Sequence, residues 1–178
     1  MKSERHPAAP EPVNCTVRPM EEADWPAVRE IYLEGIRTGR ATFETEAPPY
    51  SRWDAAHLKA CRLVAEDERG RVLGWVALSP VSARECYRGV AELSVYVAAD
   101  SRGRQVGTAL LDIAAVASEE AGVWTLQSTV LAPNAASVAL HKKCGFRVVG
   151  RRERHARDAS GVWRDTILME RRSSRIGV

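Results

Sequence analysis

Residues 95–111 read VYVAADSRGRQVGTALL. An alternating apolar run ends at Val97. The turn after it holds Arg102, Gly103, Arg104 and Gly107, and an amphipathic helix begins at once. A helix N-terminus carries unpaired N–H groups and about half a positive charge, so it attracts phosphate. Glycine lets the main chain approach a ligand closely, and two arginines add charge-assisted donors. The spacing fits neither G-x-x-x-x-G-K-[ST] nor G-x-G-x-x-G, which excludes the P-loop and dinucleotide fingerprints. Taken alone, the segment reads equally as an anion-binding loop or as a glycine-rich turn with solvated arginines.

Working outward, the helix runs from about Gln105 to Glu120, with Val106, Leu110, Ile113 and Ala117 as its expected apolar stripe. Upstream, VAELSVYVA (90–98) alternates as a strand, and 63–66 with 72–78 form a hairpin about the turn at 68–71. Earlier still come a short strand at Cys15–Pro19 and a helix with Asp24 as N-cap, Pro26 in its first turn and Val28, Ile31, Tyr32 and Ile36 at helical spacing. A loop ended by Pro48 and Pro49 leads to a second helix capped by Ser51. Downstream lie a strand at 124–130, a helix over 134–144 closed by Gly145, and two strands near 146–149 and 163–169. With no internal repeat or long linker, the expectation is one α/β domain with a mixed sheet over residues 15–171, a disordered leader at 1–14 and a tail at 172–178.

Composition narrows the function classes. The 178 residues carry 26 Lys+Arg against 23 Asp+Glu, a formal charge of +3, which is too mild for a nucleic-acid-binding protein. No apolar run approaches the roughly 18 residues of a membrane span, and the first dozen residues lack the apolar centre of a secretory signal. Cys15, Cys61, Cys86 and Cys144 are scattered without a C-x-x-C pair. Neither a disulfide framework nor a metal site is expected, and reduced thiols place the chain in the cytoplasm.

Two residues draw attention as acid–base groups. In AELSVYV, period two puts Glu92, Ser94 and Tyr96 on one face and Leu93, Val95 and Val97 on the other. A glutamate in an apolar strand is either an edge carboxylate facing water or a general base in a partly desolvated cleft. His141 lies seven residues after Asn134 and shares its helix face with Ser137 and Val138. Its readings are a half-buried structural histidine or a group that deprotonates an amine or protonates a leaving thiolate. Asn134 reads as an N-cap, and Cys144 as core filler.

The R-x-x-x-x-G-T-A turn after V-Y-V resembles the acetyl-CoA loop of the GNAT N-acetyltransferases, whose pattern is [QR]-x-x-G-x-[GA]. Arg102 stands at its first position, Gly107 at its last and Gln105 where the middle glycine is usual. The resemblance runs from Val17 to Met169 and is greatest toward the phosphinothricin/methionine sulfoximine acetyltransferase branch. It is carried by VRPMEEADWPAVREIY (17–32), TFETEAPP (42–49), SARECY (82–87), AELSVYV (91–97), PNAASVALHKKCGF (133–146) and GVWRDTILME (161–170).

The resemblance implies the GNAT acyl-CoA N-acyltransferase fold, an α/β (α+β) domain whose mixed, mostly antiparallel sheet is flanked by helices. It also implies acetyl-CoA as co-substrate, no metal, a small amine acceptor and a homodimer. By the same resemblance Val95, Tyr96, Val97, Arg102, Gly103, Arg104, Gln105, Val106, Gly107, Thr108, Asn134 and Ser137 hold acetyl-CoA, with Glu92 as base and His141 beside it. Phe43, Arg84, Tyr87 and Ser94 line the acceptor site, where main-chain N–H groups near Ser94–Tyr96 are freed by a bulge. Ser82 replaces a lysine of phosphinothricin-selective relatives, and Trp163 reads as a packing residue. A polyamine site needs acidic residues, and no acidic cluster is expected at this pocket.

Overall fold

The computed structural model describes residues 11–178. Its strands are β1 (Thr16–Pro19), β2 (Leu63–Glu66), β3 (Val72–Pro80), β4 (Val90–Val97), β5 (Thr125–Leu131), β6 (Arg147–Arg157) and β7 (Trp163–Arg172). Its helices are α1 (Trp25–Arg37), α2 (Tyr50–Ala56), α3 (Val106–Glu120) and α4 (Ala135–Lys143). The strands form one seven-stranded sheet in the order β1-β2-β3-β4-β5-β7-β6. Only the β4–β5 pair is parallel, so the sheet is mixed and mostly antiparallel, as the sequence implies.

Two apolar layers sandwich the sheet. Leu73, Leu78, Ala91, Leu93, Leu126 and Met169 pack with Leu110, Leu111 and Ala114 of α3 on one face. Val64, Trp75 and Ala77 pack with Val28, Ile31 and Trp53 of α1 and α2 on the other. Strand alternation makes both layers, because successive residues of β3 and β4 serve opposite faces.

Several elements depart from the sequence expectation. Ile113 of α3 is about half exposed (47%), whereas Leu111, Ala114 and Ser118 are buried. The small residues Ala114 and Ala115 let α3 lie close to the sheet, which rotates its buried stripe by one position from the expected 4-3-4 pattern. Asp24 stands at the N-cap of α1 without capping it. Its carboxylate instead accepts the Glu21 N–H (2.8 Å) and two N–H bonds from Arg18 (2.8 Å each), because a bidentate guanidinium outcompetes a single amide. The N-cap of α2 is Pro49 rather than Ser51.

β6 continues to Arg157, well past the expected 149. Its RRERHAR end has no apolar alternation and is held by pairing to β7, by Asp165 bonds to Arg151 and to the Arg154 N–H, and by His155 on Thr166. Trp163 is 49% exposed, with the Arg157 guanidinium 4.5 Å from its ring centroid, so it is a surface stacking residue rather than part of the core. Of the expected leader, residues 1–10 lie outside the described residues. Val13 N–H donates to the Arg104 carbonyl (3.2 Å), so this stretch runs beside the loop before α3. The last residues curl back on Trp124, where the Arg172 guanidinium donates to the carbonyls of Trp124 (2.9 Å) and Ile176 (3.1 Å).

Candidate active site

The site begins where the sheet parts. β4 and β5 pair at Val90–Thr125, Ala91–Leu126 and Glu92–Gln127 and then diverge, β4 continuing along β3 and β5 along β7. The register of β3 with β4 is unbroken from Gly74–Val97 to Pro80–Ala91. No bulge therefore frees the β4 main chain; the divergence does, leaving the β5-facing edge without a strand partner from Leu93 onward. The position of β4 inside the sheet also removes the edge-strand reading of Glu92.

A cavity of about 630 Å³ lies at the head of α3, lined by Val95, Tyr96, Val97, Arg102, Gly103, Gln105, Val106, Gly107, Thr108, Asn134 and Ser137. Gly103 (φ 75°) and Gln105 (φ 68°) both hold left-handed backbone, which bends the loop around the helix N-terminus. Gln105 thus occupies the conformation for which glycine is the usual residue. Gly107 packs closely under α4: a Cβ there would lie 2.8 Å from a terminal methyl of Leu140, which would have to turn aside. Arg102 donates through Nε to the Val97 carbonyl (3.1 Å), which ties the loop to the end of β4. Arg104 is the one predicted loop residue outside this lining; its Nε donates to the Glu11 carbonyl (3.2 Å). Sequence reading missed Gly35 of α1, Thr38, Arg40 and Ala41 from the segment after it, and Lys143 of α4, which also line the cavity. Arg40 and Lys143 join Arg102 as cations suited to phosphate. The signal for them was position alone: Arg40 sits just ahead of the TFETEAPP similarity and Lys143 within PNAASVALHKKCGF.

A second cavity of about 200 Å³ adjoins the first through shared Val95, Tyr96, Asn134 and Ser137, and brings Glu92, His141, Phe43 and Ser94 together. Glu92 bridges the parting strands. Its carboxylate accepts the Gln127 side-chain amide and the Thr129 N–H, each at 2.7 Å. Asn134 caps α4 by accepting the Ser137 N–H (3.1 Å).

His141 is buried (1% exposed) with its ring edge-on to Phe146 (4.9 Å between centroids). Its Nδ1 lies 2.8 Å from the Ser137 carbonyl oxygen. A carbonyl can only accept, so Nδ1 carries the proton and Nε2 the lone pair. Nε2 is buried and has no hydrogen-bond partner among the described residues. Burial holds the imidazole below its ordinary value of 6.5, opposed by the Ser137 carbonyl and the Glu92 charge. Cys144 is buried, its thiol pushed up to about 11 by burial, which makes it a poor nucleophile.

Arg84 and Tyr87 stand apart from these cavities on the β3–β4 connection, the guanidinium stacked 5.6 Å from the Tyr87 ring centroid and the tyrosine 44% exposed. A third cavity, about 290 Å³, shares Ser94 and Tyr96 with the second and is walled by Tyr32, Trp53, Trp75 and His57. Glu44 and Glu46 line it too, so acidic residues do border the pocket region, contrary to the sequence expectation. They belong to the loop between α1 and α2, whose placement no periodicity foretells. Among the described residues no group of three or more His, Cys, Asp or Glu is placed to hold a metal, and no helix is long and apolar enough to cross a membrane.

A parted parallel strand pair, a glycine-bent helix head and cavities meeting between them define the acyltransferase class of fold and site. A profile described as the Acetyltransferase (GNAT) family matches residues 25–146, and the chain belongs to that family. It is an acetyltransferase similar to the phosphinothricin N-acetyltransferase of Alcaligenes faecalis, with 36% identity over 88% of this chain and 82% of the relative. It is also 29% identical to an L-methionine sulfoximine/L-methionine sulfone acetyltransferase of Pseudomonas paraeruginosa, over 89% of this chain and 94% of the relative. Among solved structures, a GNAT superfamily phosphinothricin acetyltransferase from Sinorhizobium meliloti in complex with AcCoA superposes with TM-score 0.79 at 30% identity, covering 89% of this chain and 88% of that one. A ribosomal-protein-alanine N-acetyltransferase from Brucella melitensis superposes with TM-score 0.80 at 31% identity, over 89% of this chain and 99% of that one.

Proposed function

We propose that residues 15–171 transfer the acetyl group of acetyl-CoA to the primary amine of a small amino-acid-like acceptor, of the phosphinothricin, methionine sulfoximine or methionine sulfone type. The attack is direct, with no covalent enzyme intermediate. One observation carries the reading: Glu92 and His141, whose buried Nε2 has no partner among the described residues, line a single small cavity beside the larger one at the head of α3. The relatives named for amino-acid-like acceptors and the AcCoA complex support the choice of substrates.

Acetyl-CoA supplies the acyl group as a thioester. Arg102, Arg40 and Lys143 offset the charge of its phosphates, and main-chain N–H groups at the head of α3 receive them. An acceptor ammonium must shed a proton before its nitrogen can attack, and Glu92 takes it. The two donors on Glu92 keep its carboxylate aimed across the parted strands, and each oxygen retains a second lone pair. As the new C–N bond forms, the nitrogen loses a second proton to His141 Nε2, which hands it to the departing sulfur as the C–S bond breaks. The unpaired edge of β4 beyond Glu92 offers N–H donors to the carbonyl oxygen as it gains charge.

The test is thiol release with acetyl-CoA and a panel of amines: phosphinothricin, methionine sulfoximine, methionine sulfone, ordinary amino acids, polyamines and a peptide. Turnover of an amino-acid-like acceptor is expected. Acetyl-CoA binding without turnover of any amine would instead make the protein a sensor. The similarity to a ribosomal-protein-alanine N-acetyltransferase structure supports a second reading, a protein N-terminus as acceptor, which the peptide tests. Glu92→Gln should lower kcat by about a hundredfold or more with acetyl-CoA affinity nearly unchanged, since glutamine still accepts the Thr129 N–H but takes no proton. Unchanged kcat would remove Glu92 from its role. We infer also a homodimer working in the cytoplasm, supported by the family resemblance and by four free thiols; light scattering on the purified protein tests the dimer.

A further inference from the structure

No motif singles out Gln127, and it lines none of the three cavities. We propose that it is a positioning residue for the transfer, its side-chain amide fixing the plane of the Glu92 carboxylate at the fork of the sheet. The inference rests on the reading of Glu92 as base and adds a residue that acts only through it.

Topology is the first argument. Glu92–Gln127 is the last rung that joins β4 to β5 before the strands part. Residues paired across a ladder share a face of the sheet, so the two side chains meet where the fork opens. On its other side Gln127 is paired with Glu170 of β7. A main chain held by ladders on both sides leaves this side chain no freedom beyond its own rotamers, which makes it a firm anchor for the base.

The hydrogen bonds supply the second argument. The Thr129 N–H donates to one Glu92 oxygen and the Gln127 amide to the other, each at 2.7 Å. A single donor acts as a hinge about which a carboxylate swings, whereas a donor on each oxygen fixes its plane. An ionised carboxylate only accepts, so the amide presents its nitrogen and gives a hydrogen bond without a formal charge. A lysine or arginine in its place would also hold Glu92, but would favour the charged carboxylate and weaken it as a base.

Charge is the third. Glu170 follows Gln127 in the same cross-strand row, and its carboxylate is paired with Arg147 of β6. The neutral amide thus stands between two carboxylates that are two strand spacings, about 10 Å, apart. The other titratable groups around Glu92 are His141 and Tyr96, which line its cavity, while Ser79 opposite it on β3 adds no charge.

The experiment measures kcat and KM across pH, with acetyl-CoA and methionine sulfone, in wild type, Gln127→Met, Gln127→Glu, Glu92→Gln and the double variant Glu92→Gln/Gln127→Met. Gln127→Met keeps the length and loses the donor. Its kcat should fall about tenfold, the worth of one hydrogen bond to a charged group, with both KM values nearly unchanged. In the Glu92→Gln background the same change should leave kcat unmoved, because no base remains to be aimed. Gln127→Glu sets two carboxylates side by side that must share a proton, so kcat should collapse at neutral pH and recover as pH rises. An unmoved kcat in Gln127→Met, or an equal fall in both backgrounds, overturns the inference while leaving Glu92 as the base. Should Gln127→Met fail to fold, the Gln127→Glu profile decides, and the absence of recovery above neutral pH overturns the inference. Should wild type not turn over methionine sulfone, or Glu92→Gln alone leave kcat unchanged, the reading of Glu92 as base fails first and takes the role of Gln127 with it.

Discussion

His141 stays neutral because it is buried against Phe146; the Ser137 carbonyl works against that effect but fixes the one proton on Nδ1. A folded-state value below the ordinary 6.5 means that Nε2 keeps its lone pair through neutrality and into mildly acidic solution. The acid limb of kcat/KM should therefore fall below pH 6.5, and His141→Gln should abolish the part of that limb due to imidazole while lowering kcat about a hundredfold. A pH–rate profile of both proteins checks this; an unaltered limb would move the proton transfer elsewhere. Gln105 shows the opposite economy, a non-glycine residue held at φ 68°. Left-handed backbone costs such a residue about 1–2 kcal/mol, against about 0.5–1 kcal/mol for the greater chain entropy glycine loses. Gln105→Gly should thus raise stability by up to about 1 kcal/mol, read as a rise of a few degrees in the thermal midpoint.

Among the elements, α1 and β4 are fitted to each other at a single point. A Cβ on Gly35 would lie 2.7 Å from two Tyr96 ring atoms, and Tyr96 lines all three cavities. Gly35→Ala should displace that ring, cost about 1–3 kcal/mol by overpacking and raise KM for both substrates; denaturant titration and initial rates read the two effects. The helix head and the strand before it were legible because turn chemistry and alternation are local. The Asn134 cap and the Gly145 stop were legible for the same reason. The aromatic cavity was not, since Tyr32, Trp53, Trp75 and Tyr96 come from four elements whose juxtaposition no local pattern encodes. The Arg-rich end of β6 escaped because its strand character is imposed by β7. Glu92 stood out as a misfit in an apolar strand, yet its partners on β5 became visible only once the sheet order was known.

For the whole molecule, acid should act in two stages. His57 and His141 resist protonation when folded, so the unfolded chain binds more protons once pH drops below 6.5, and stability declines from there. A second loss begins below the ordinary carboxylate range. Asp24 (beside Arg18) and Asp158 (held to about 2 by the Ser160 hydroxyl and Arg164) are depressed in the folded state, so the unfolded chain again takes up protons first. Thermal midpoints measured from pH 8 to pH 3 should show a shallow fall below 6.5 and a steeper one below about 4. A flat curve down to pH 5 would show that neither imidazole is held as described.

The parted strands also set a limit on how rigid this protein can become. Three residue pairs alone join β4 to β5 along the ladder, and beyond them the two halves of the sheet share no main-chain bonds there. Amides lining that gap should exchange with solvent sooner than those of β3 or β7, and should slow when a thioester ligand fills it and lends the missing acceptors. A variant engineered to zip the gap shut would gain thermal stability and lose its substrate in the same stroke.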